Sequence, residues 1–348
     1  MKHENYMQRC LDLALLGCGQ VAPNPMVGAV LIADGRIIGE GYHEKFGAAH
    51  AEKNALDNVR PEDLHLLTSA TLYVNLEPCA HFGKMPPCCD LIVERKIPKV
   101  IIGSTDPFEK VAGRGIEKLR QAGVEVELPI LETACLDLNK RFFTFHTKKR
   151  PYIILKWAQT ANSFISSADP CDPKWISNAL SKKLVHQWRS EEQAILVGTN
   201  TALQDNPSLT VREWTGKNPL RVVLDKNLRL PPDLHIFDGK TPSLILTSKD
   251  KKDMPNVSFE RIDFGEDVLT EIMDSMYQKN ILSLLVEGGA QVLNSFIKKG
   301  LWDEARVFTS PSNFKAGVSA PFFHGHLWQQ HFLQEDRLSI YKNPTNGL

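Results

Sequence analysis

The sequence predicts an α/β protein of two domains, and three observations carry that expectation. Between residues 50 and 128 helical and extended patterns alternate, which implies a sheet sandwiched between helical layers. After the basic run Lys148-Lys149-Arg150, Pro151 breaks the pattern and a new apolar strand begins at Tyr152. A chain of 348 residues is also long for one compact core. We therefore expect domains at 1–148 and 149–348, with no internal repeat and no low-complexity tract.

Tyr6 to Leu16 places Met7, Cys10, Leu11, Ala14 and Leu15 on one helical face. Val27 to Ala33 and Arg36 to Tyr42 read as two strands joined by Asp34-Gly35, a favoured hairpin turn pair. A helix over 50–59, a strand over 70–76, a helix over 87–96 and a strand over 99–103 follow. Next come a helix over 114–122, a strand over 124–128 and one helix over 131–145. The second half restarts with strands over 152–157 and 194–197, separated by a helix over 178–190. Residues 220–224, 243–247 and 281–286 are further strands, and the last is nearly continuous in apolar residues, as a central parallel strand requires. Helices over 267–278 and 290–299 flank it.

The 41 basic residues equal the 41 acidic ones, so there is no overall field to recruit nucleic acid. That argues against a protein that acts on nucleic acid. Seven scattered cysteines are an odd number without framework spacing, which points to a reducing compartment, and we expect a cytoplasmic enzyme. The amino terminus does not read as a signal peptide, and no apolar run approaches the roughly 18 residues of a membrane span.

One constellation decides the chemistry. His50-Ala51-Glu52 is followed by Glu77-Pro78-Cys79 and then Cys88. An imidazole and two thiolates suit Zn²⁺ and leave a fourth tetrahedral position open. Bound zinc lowers the pKa of water to about 7. Glu52, a carboxylate beside the ligand and not itself one, is placed to carry protons, as in zinc deaminases. Buried structural thiols are the competing reading, and Cys89 and His81 are rival ligands. Cys88 is preferred because it follows Pro86-Pro87 at a helix start, whereas Cys89 on that helix would point about 100° away.

In the second half, Val286-Glu287-Gly288-Gly289 closes a strand and opens a helix. Two glycines there let a phosphate approach the helix N-terminus, although the same pattern also makes an ordinary tight turn, and it lacks the dinucleotide fingerprint. Asp205 to Arg212 is long and polar enough for a functional loop. Arg189 and Arg212 read either as a phosphate clamp or as solvated surface charges.

With these residues in hand, the chain resembles the bifunctional riboflavin-biosynthesis deaminase/reductases. Pro23 to Val30, Gly41-Tyr42-His43, His50-Ala51-Glu52, Leu76 to Cys88, Asp106-Pro107 and Val111 to Gly115 carry the likeness in the first half. The generic deaminase has two residues between its cysteines; the eight from Ala80 to Pro87 match this family's spacing. The resemblance implies a cytidine-deaminase-like α/β/α sandwich with zinc on His50, Cys79 and Cys88, and Glu52 as proton carrier. It implies that Asn24, His43 and Lys84 hold the substrate, a ribosylaminopyrimidine 5′-phosphate. In the second half the likeness rests on Lys156, Trp175-Ile176-Ser177, Arg189, Val197 to Thr201, Asp205 to Arg212 and Val286 to Gly289. It implies a dihydrofolate-reductase-like domain binding NADPH through Ala158, Trp175, Thr201, Asp205, Gly288, Gly289 and Ala290. Arg189, Leu209, Arg212 and Glu287 would contact the reductase substrate, with Lys156, Asp205 and Glu287 all open as proton donor. A homo-oligomer, dimer or tetramer, is expected.

The expected function is deamination of 2,5-diamino-6-(5-phosphoribosylamino)pyrimidin-4(3H)-one, followed by NADPH-dependent reduction of ribosyl to ribityl. One departure motivates an alternative. Asn162 and Ser163 stand where the family usually has an acid and a glycine, so the second domain is alternatively a nucleotide-binding module without turnover. A purely structural zinc, closed by Cys89 or His81, is a third reading.

Overall fold

The computed structural model describes residues 2–80, 86–108, 112–169, 171 and 176–345. The chain divides into two compact units, Met1–Lys148 and Lys149–Gly347.

The first unit comprises α1 (Lys2–Leu15), β1 (Gly28–Ala33), β2 (Arg36–Tyr42), α2 (Ala51–Asp57), β3 (Thr71–Leu76), α3 (Cys88–Glu94), β4 (Lys99–Ser104), α4 (Arg114–Gln121), β5 (Glu125–Glu127), α5 (Glu132–Leu138) and α6 (Lys140–Lys148). The sheet runs β2-β1-β3-β4-β5, antiparallel at β2, β1 and β3 and parallel from β3 to β5. Asp34 (φ 51°) and Gly35 (φ 76°) make the expected tight turn between β1 and β2. Alternate strand residues face opposite helix layers. Leu31, Leu72 and Val100 pack with Ala55, Ile92 and Leu119 of α2, α3 and α4. Ile32, Tyr73 and Ile101 pack with Met7, Cys10 and Leu11 of α1. This period-two alternation makes the three-layer sandwich.

One expectation is corrected here. Residues 131–145 are not one helix, because the chain breaks at Asn139 between α5 and α6. The buried Asn139 side chain donates to Met26 O (2.9 Å) and accepts from Met26 N (2.8 Å), and this clamp outweighs helix continuity.

The second unit contains β6 (Tyr152–Gln159), β7 (Phe164–Ser167), α7 (Ala179–Glu191), β8 (Ala194–Gly198), α8 (Thr199–Asp205), β9 (Leu220–Leu224), β10 (Ser243–Thr247), β11 (Val257–Arg261), α9 (Val268–Gln278), β12 (Ser283–Val286), α10 (Ala290–Lys298), β13 (Glu304–Thr309), β14 (Gly317–Ser319), β15 (His326–Leu333) and β16 (Asp336–Lys342). Its sheet runs β11-β10-β9-β8-β12-β6-β13-β16-β15, parallel except at β16 and β15. As expected, β12 is central, and all four of its residues are buried. Leu196, Leu244 and Leu284 face one core, while Ile195, Ile245 and Leu285 face the other. Strands β7, β11 and β13 to β16, and helix α8, have no counterpart in the sequence reading. Strand β13 is disguised by Glu304 and Arg306, which are buried because they pair with each other at 2.6 Å. Strand β15 is exposed along almost its whole length and lacks an apolar face to read.

Candidate functional site

In the first unit the parallel strands β3 and β4 end side by side, and the chain leaving β3 carries Glu77-Pro78-Cys79 into the crevice beyond their carboxyl ends. Two helices start at the same place. His50 is the N-cap of α2, with extended backbone (φ −75°, ψ 164°), and Cys88 is the first residue of α3 after Pro87. His50 Nδ1 lies 3.6 Å from Cys79 Sγ and 3.3 Å from Cys88 Sγ, and all three donor atoms fall within 4.8 Å of one another. Donors on a tetrahedral zinc, at about 2.3 Å for sulfur and about 2.0 Å for nitrogen, stand roughly 3.5 Å apart. The three side chains fit that ion.

Cys89 is not a ligand. Its sulfur is fully buried, 3.4 Å from Pro78 O and 3.5 Å from Gly115 O, and burial pushes the thiol up to about 12. His81, the other rival, and the substrate candidate Lys84 lie outside the described residues.

Electrostatics sort the three ligands. The hydrogen bond from Cys88, and then His50, holds the Cys79 thiol down to about 4. That same contact with Cys79, followed by burial, raises Cys88 well above an ordinary thiol. Hydrogen bonding to Cys79 lifts His50 to about 9. Glu52, in the first turn of α2, is only 3% exposed, and burial raises its carboxyl. A carboxyl shifted upward beside an open metal position takes and returns protons more readily near neutral pH.

Asn24 and His43 come together beside this cluster. Asn24 Nδ2 lies 3.0 Å from His43 Nε2, His43 Nδ1 lies 2.9 Å from Ala49 O, and the His43 and His50 rings meet edge-on at 5.5 Å. Burial lowers His43, so the ring is neutral: Nδ1–H donates to Ala49 and Nε2 accepts from the Asn24 amide. Sequence reasoning missed what fixes this wall. Asn75 and Asn139 together hold the backbone of Met26, and Asn75 also accepts from Gly28 N at 2.8 Å. No spacing rule links residues 26, 75 and 139. Asp106 was missed as a charged group near the site; burial pushes its carboxyl up to about 7.

In the second unit, Lys156, Arg189 and Glu287 meet one another, and Thr201 meets Gly289, near the carboxyl ends of β6, β8 and β12. Glu287 follows β12 and is held by Arg189 of α7 at 2.9 and 2.8 Å, with Lys156 of β6 3.6 Å away. Arg189 also donates to Thr210 O at 3.3 Å. Thr201 Oγ1, on α8, accepts from Gly289 N at 2.9 Å, which ties α8 to the turn before α10. Gly288 packs against β8 so closely that a Cβ would lie 2.6 Å from Val197 Cα. Ala158 lies near the end of β6, Asp205 ends α8, and Ala290 opens α10. Arg212 N donates to His186 Nδ1 at 3.2 Å, and its guanidinium donates to Thr210 Oγ1 at 3.0 Å. Leu209 has a left-handed backbone (φ 54°) and a side chain 2% exposed among Tyr152, Ile154 and Val223. Trp175 lies outside the described residues.

A family model for the cytidine and deoxycytidylate deaminase zinc-binding region matches residues 1–104, and one for the RibD C-terminal domain matches residues 151–332. Riboflavin biosynthesis protein RibD of Aquifex aeolicus is 39% identical over 322 residues, covering 91% of this chain and 89% of the relative. The crystal structure of a diaminohydroxyphosphoribosylaminopyrimidine deaminase/5-amino-6-(5-phosphoribosylamino)uracil reductase from Thermotoga maritima superposes with TM-score 0.90 at 37% identity, covering 98% of this chain and 99% of that one. RibD of Acinetobacter baumannii gives TM-score 0.87 at 29% identity, with 98% of each chain covered.

Proposed function

The chain belongs to the RibD family of bifunctional riboflavin-biosynthesis deaminase/reductases, and from that premise we propose which residues perform each half of its work. It is a zinc deaminase and an NADPH-using reductase, and His50, Cys79 and Cys88 form the zinc site. The observation that carries the deaminase half is this trio of donors closed around one point with a buried carboxyl, Glu52, beside it.

Residues 1–148 are the deaminase domain and 149–348 the reductase domain. The deaminase substrate is 2,5-diamino-6-(5-phosphoribosylamino)pyrimidin-4(3H)-one. Zinc supplies Lewis acidity that makes hydroxide available near neutral pH. Asn24 and His43 hold the pyrimidine against that position, and Lys84 takes the phosphate. Glu52 accepts a proton as water adds to the ring carbon and passes protons to the ring nitrogen and the leaving amine, so ammonia departs.

In the reductase, NADPH supplies hydride to the ribosyl group of the deaminated product. Ala158, Trp175, Thr201, Asp205, Gly288, Gly289 and Ala290 hold the cofactor. Arg189, Arg212, Glu287 and the backbone of Leu209 hold the substrate. Of the three open proton donors Glu287 is set aside, because Arg189 and Lys156 hold its carboxyl at about 2, where it carries no proton to give near neutral pH. Lys156 and Asp205 remain. Burial lowers the Lys156 ammonium and eases loss of its proton.

We further propose a cytoplasmic homo-oligomer. None of the described helices is long and apolar enough to cross a membrane. Among the described residues no strand pairs with the outer edge of β15, which exposes Phe332 and Leu327, a surface suited to a second copy. Light scattering after size exclusion reads the assembly.

The deciding experiment incubates the purified protein with the diaminopyrimidinone ribotide, with and without NADPH, following ammonia and NADPH absorbance. Ammonia in both samples, with NADPH oxidised in the second, is expected. Ammonia without NADPH oxidation would leave the reductase half unsupported.

A further inference from the structure

Glu77 is 4% exposed, and four backbone N–H groups converge on its carboxylate. Oε2 accepts from Asp106 N (3.2 Å) and Gly113 N (3.0 Å), and Oε1 accepts from Gly115 N (2.9 Å) and Ile116 N (3.3 Å). Three of these donors belong to the start of α4. The residue preceding that helix, Gly113, has φ 79° and no side chain to cap it. A carboxylate 36 to 39 positions earlier in the chain therefore supplies the cap, placed where the helix dipole favours negative charge.

The same segment presents a zinc ligand. Glu77 N donates to Ser104 O at 3.0 Å, which fixes the end of β3 on β4. Two residues on, Cys79 O accepts from Cys89 N (3.2 Å) and Cys79 Sγ accepts from Cys88 N (3.3 Å). Between them, Pro78 O touches the helix held by Glu77, since a Cβ on Gly115 would lie 2.1 Å from it. The Pro78-Cys79 turn is thus gripped by α3 on one side and by α4 on the other. The backbone N–H bonds in the grip from α4 all end on the Glu77 side chain, beside the close packing of Pro78 O on Gly115.

We propose that Glu77 is a positioning residue of the deaminase: by capping α4 across the sheet it fixes the turn that aims Cys79 at the metal. This rests on the zinc-deaminase reading and adds a residue to it. A glutamine is the informative replacement. Its amide nitrogen is a donor, so whichever way it turns it faces backbone N–H groups that need an acceptor.

The test uses the full chain loaded with zinc. A colour-forming chelator follows zinc release, and both activities are measured on the same preparation, the reductase being supplied with the deaminated ribotide. Glu77→Gln is expected to release zinc at least ~10-fold faster and to lower deaminase kcat ~10-fold or more, the range for partners that orient metal ligands. Deaminase KM should stay within about twofold and the reductase rate should not change, because the Glu77 carboxylate is buried and taken up by backbone N–H groups. Glu77→Asp, which keeps the charge but reaches fewer of the four donors, should fall between. It carries the test alone should Glu77→Gln yield no folded protein. Zinc release at the native rate in the variants overturns the proposal, as does parallel loss of both activities. If the native protein releases ammonia with no zinc bound, the zinc-deaminase reading itself fails, and that outcome is read before any variant is made.

Discussion

Arg189 and Glu287 meet as two forks, Nε on Oε1 at 2.9 Å and Nη2 on Oε2 at 2.8 Å, with both side chains about nine-tenths buried. Burial alone would raise the Glu287 carboxyl, but Arg189 and Lys156 outweigh it and hold it at about 2. A carboxylate depressed on folding adds stability above its unfolded value and loses it as pH falls toward the folded one. The window here runs from about 4.5 down to about 2, and the shift corresponds to about 3 kcal/mol. All six tryptophans lie beyond residue 150, so their fluorescence reports the second unit. Glu287→Gln should flatten the acid-induced loss of stability in that window, and curves parallel to the native protein would contradict it.

Cys88 and Cys89 are adjacent, yet only one faces His50. Cys88→Ala should lose stoichiometric zinc and deaminase activity. Cys89→Ala should retain zinc near one per chain while losing roughly 1 kcal/mol of stability to a small cavity. Metal analysis beside calorimetry distinguishes them, and zinc loss from both equally would undo the ligand assignment.

Without metal, His50 is raised to about 9 and Cys88 lies well above neutral, while Cys79 is lowered to about 4. The empty site at pH 7 thus holds an imidazolium, a thiolate and a thiol. Zinc must displace one proton from His50 and one from Cys88, so uptake by chelator-stripped protein should release about two protons. Titration calorimetry in buffers of different ionisation heat measures this. A release near zero would show that the ligands are already deprotonated. Affinity should strengthen as pH rises toward 9, where the His50 proton is lost.

Glu52 is the one buried carboxyl in the first turn of α2, beside the zinc ligand that caps it. Glu52→Gln keeps its size and removes proton transfer, so deamination should fall at least about 10²-fold with zinc content unchanged. Near-native turnover in that variant would remove Glu52 from the mechanism.

These outcomes depend on features that were unequally legible in the sequence. His50, Glu52, Cys79 and Cys88 could be read because metal chemistry restricts side-chain types and helix geometry separates neighbouring cysteines. Glu77 stands in the same motif, but its function is written in backbone N–H groups of Asp106, Gly113, Gly115 and Ile116, which every residue type but proline carries. The break at Asn139 was hidden because helical periodicity continues through it, and only contact with Met26 opposes it. Regular, buried strands such as β10 and β12 showed themselves by composition. Strand β13, with a buried ion pair, and the exposed β15 did not.

Ser163 sits at φ 63°, a left-handed backbone that glycine adopts without strain. The turn around it is well held. Ser163 N donates to Thr160 O at 2.9 Å. The neighbouring Asn162 accepts from Thr160 Oγ1 at 2.8 Å and from Phe314 N at 3.2 Å, and donates to Phe314 O at 2.7 Å. The amide of Asn162 therefore forms these contacts without a charge, and the turn needs no acid at this position. The serine pays the left-handed penalty of about 1 kcal/mol, which glycine avoids, while glycine in turn loses more chain entropy on folding. Because the native contacts hold φ positive in either case, relief of strain should prevail. Ser163→Gly should stabilise the second unit by about 0.5–1 kcal/mol, a rise of roughly 2 °C in Tm for a domain of this size. A fall in Tm would mean that the serine side chain itself contributes a contact worth more than the strain.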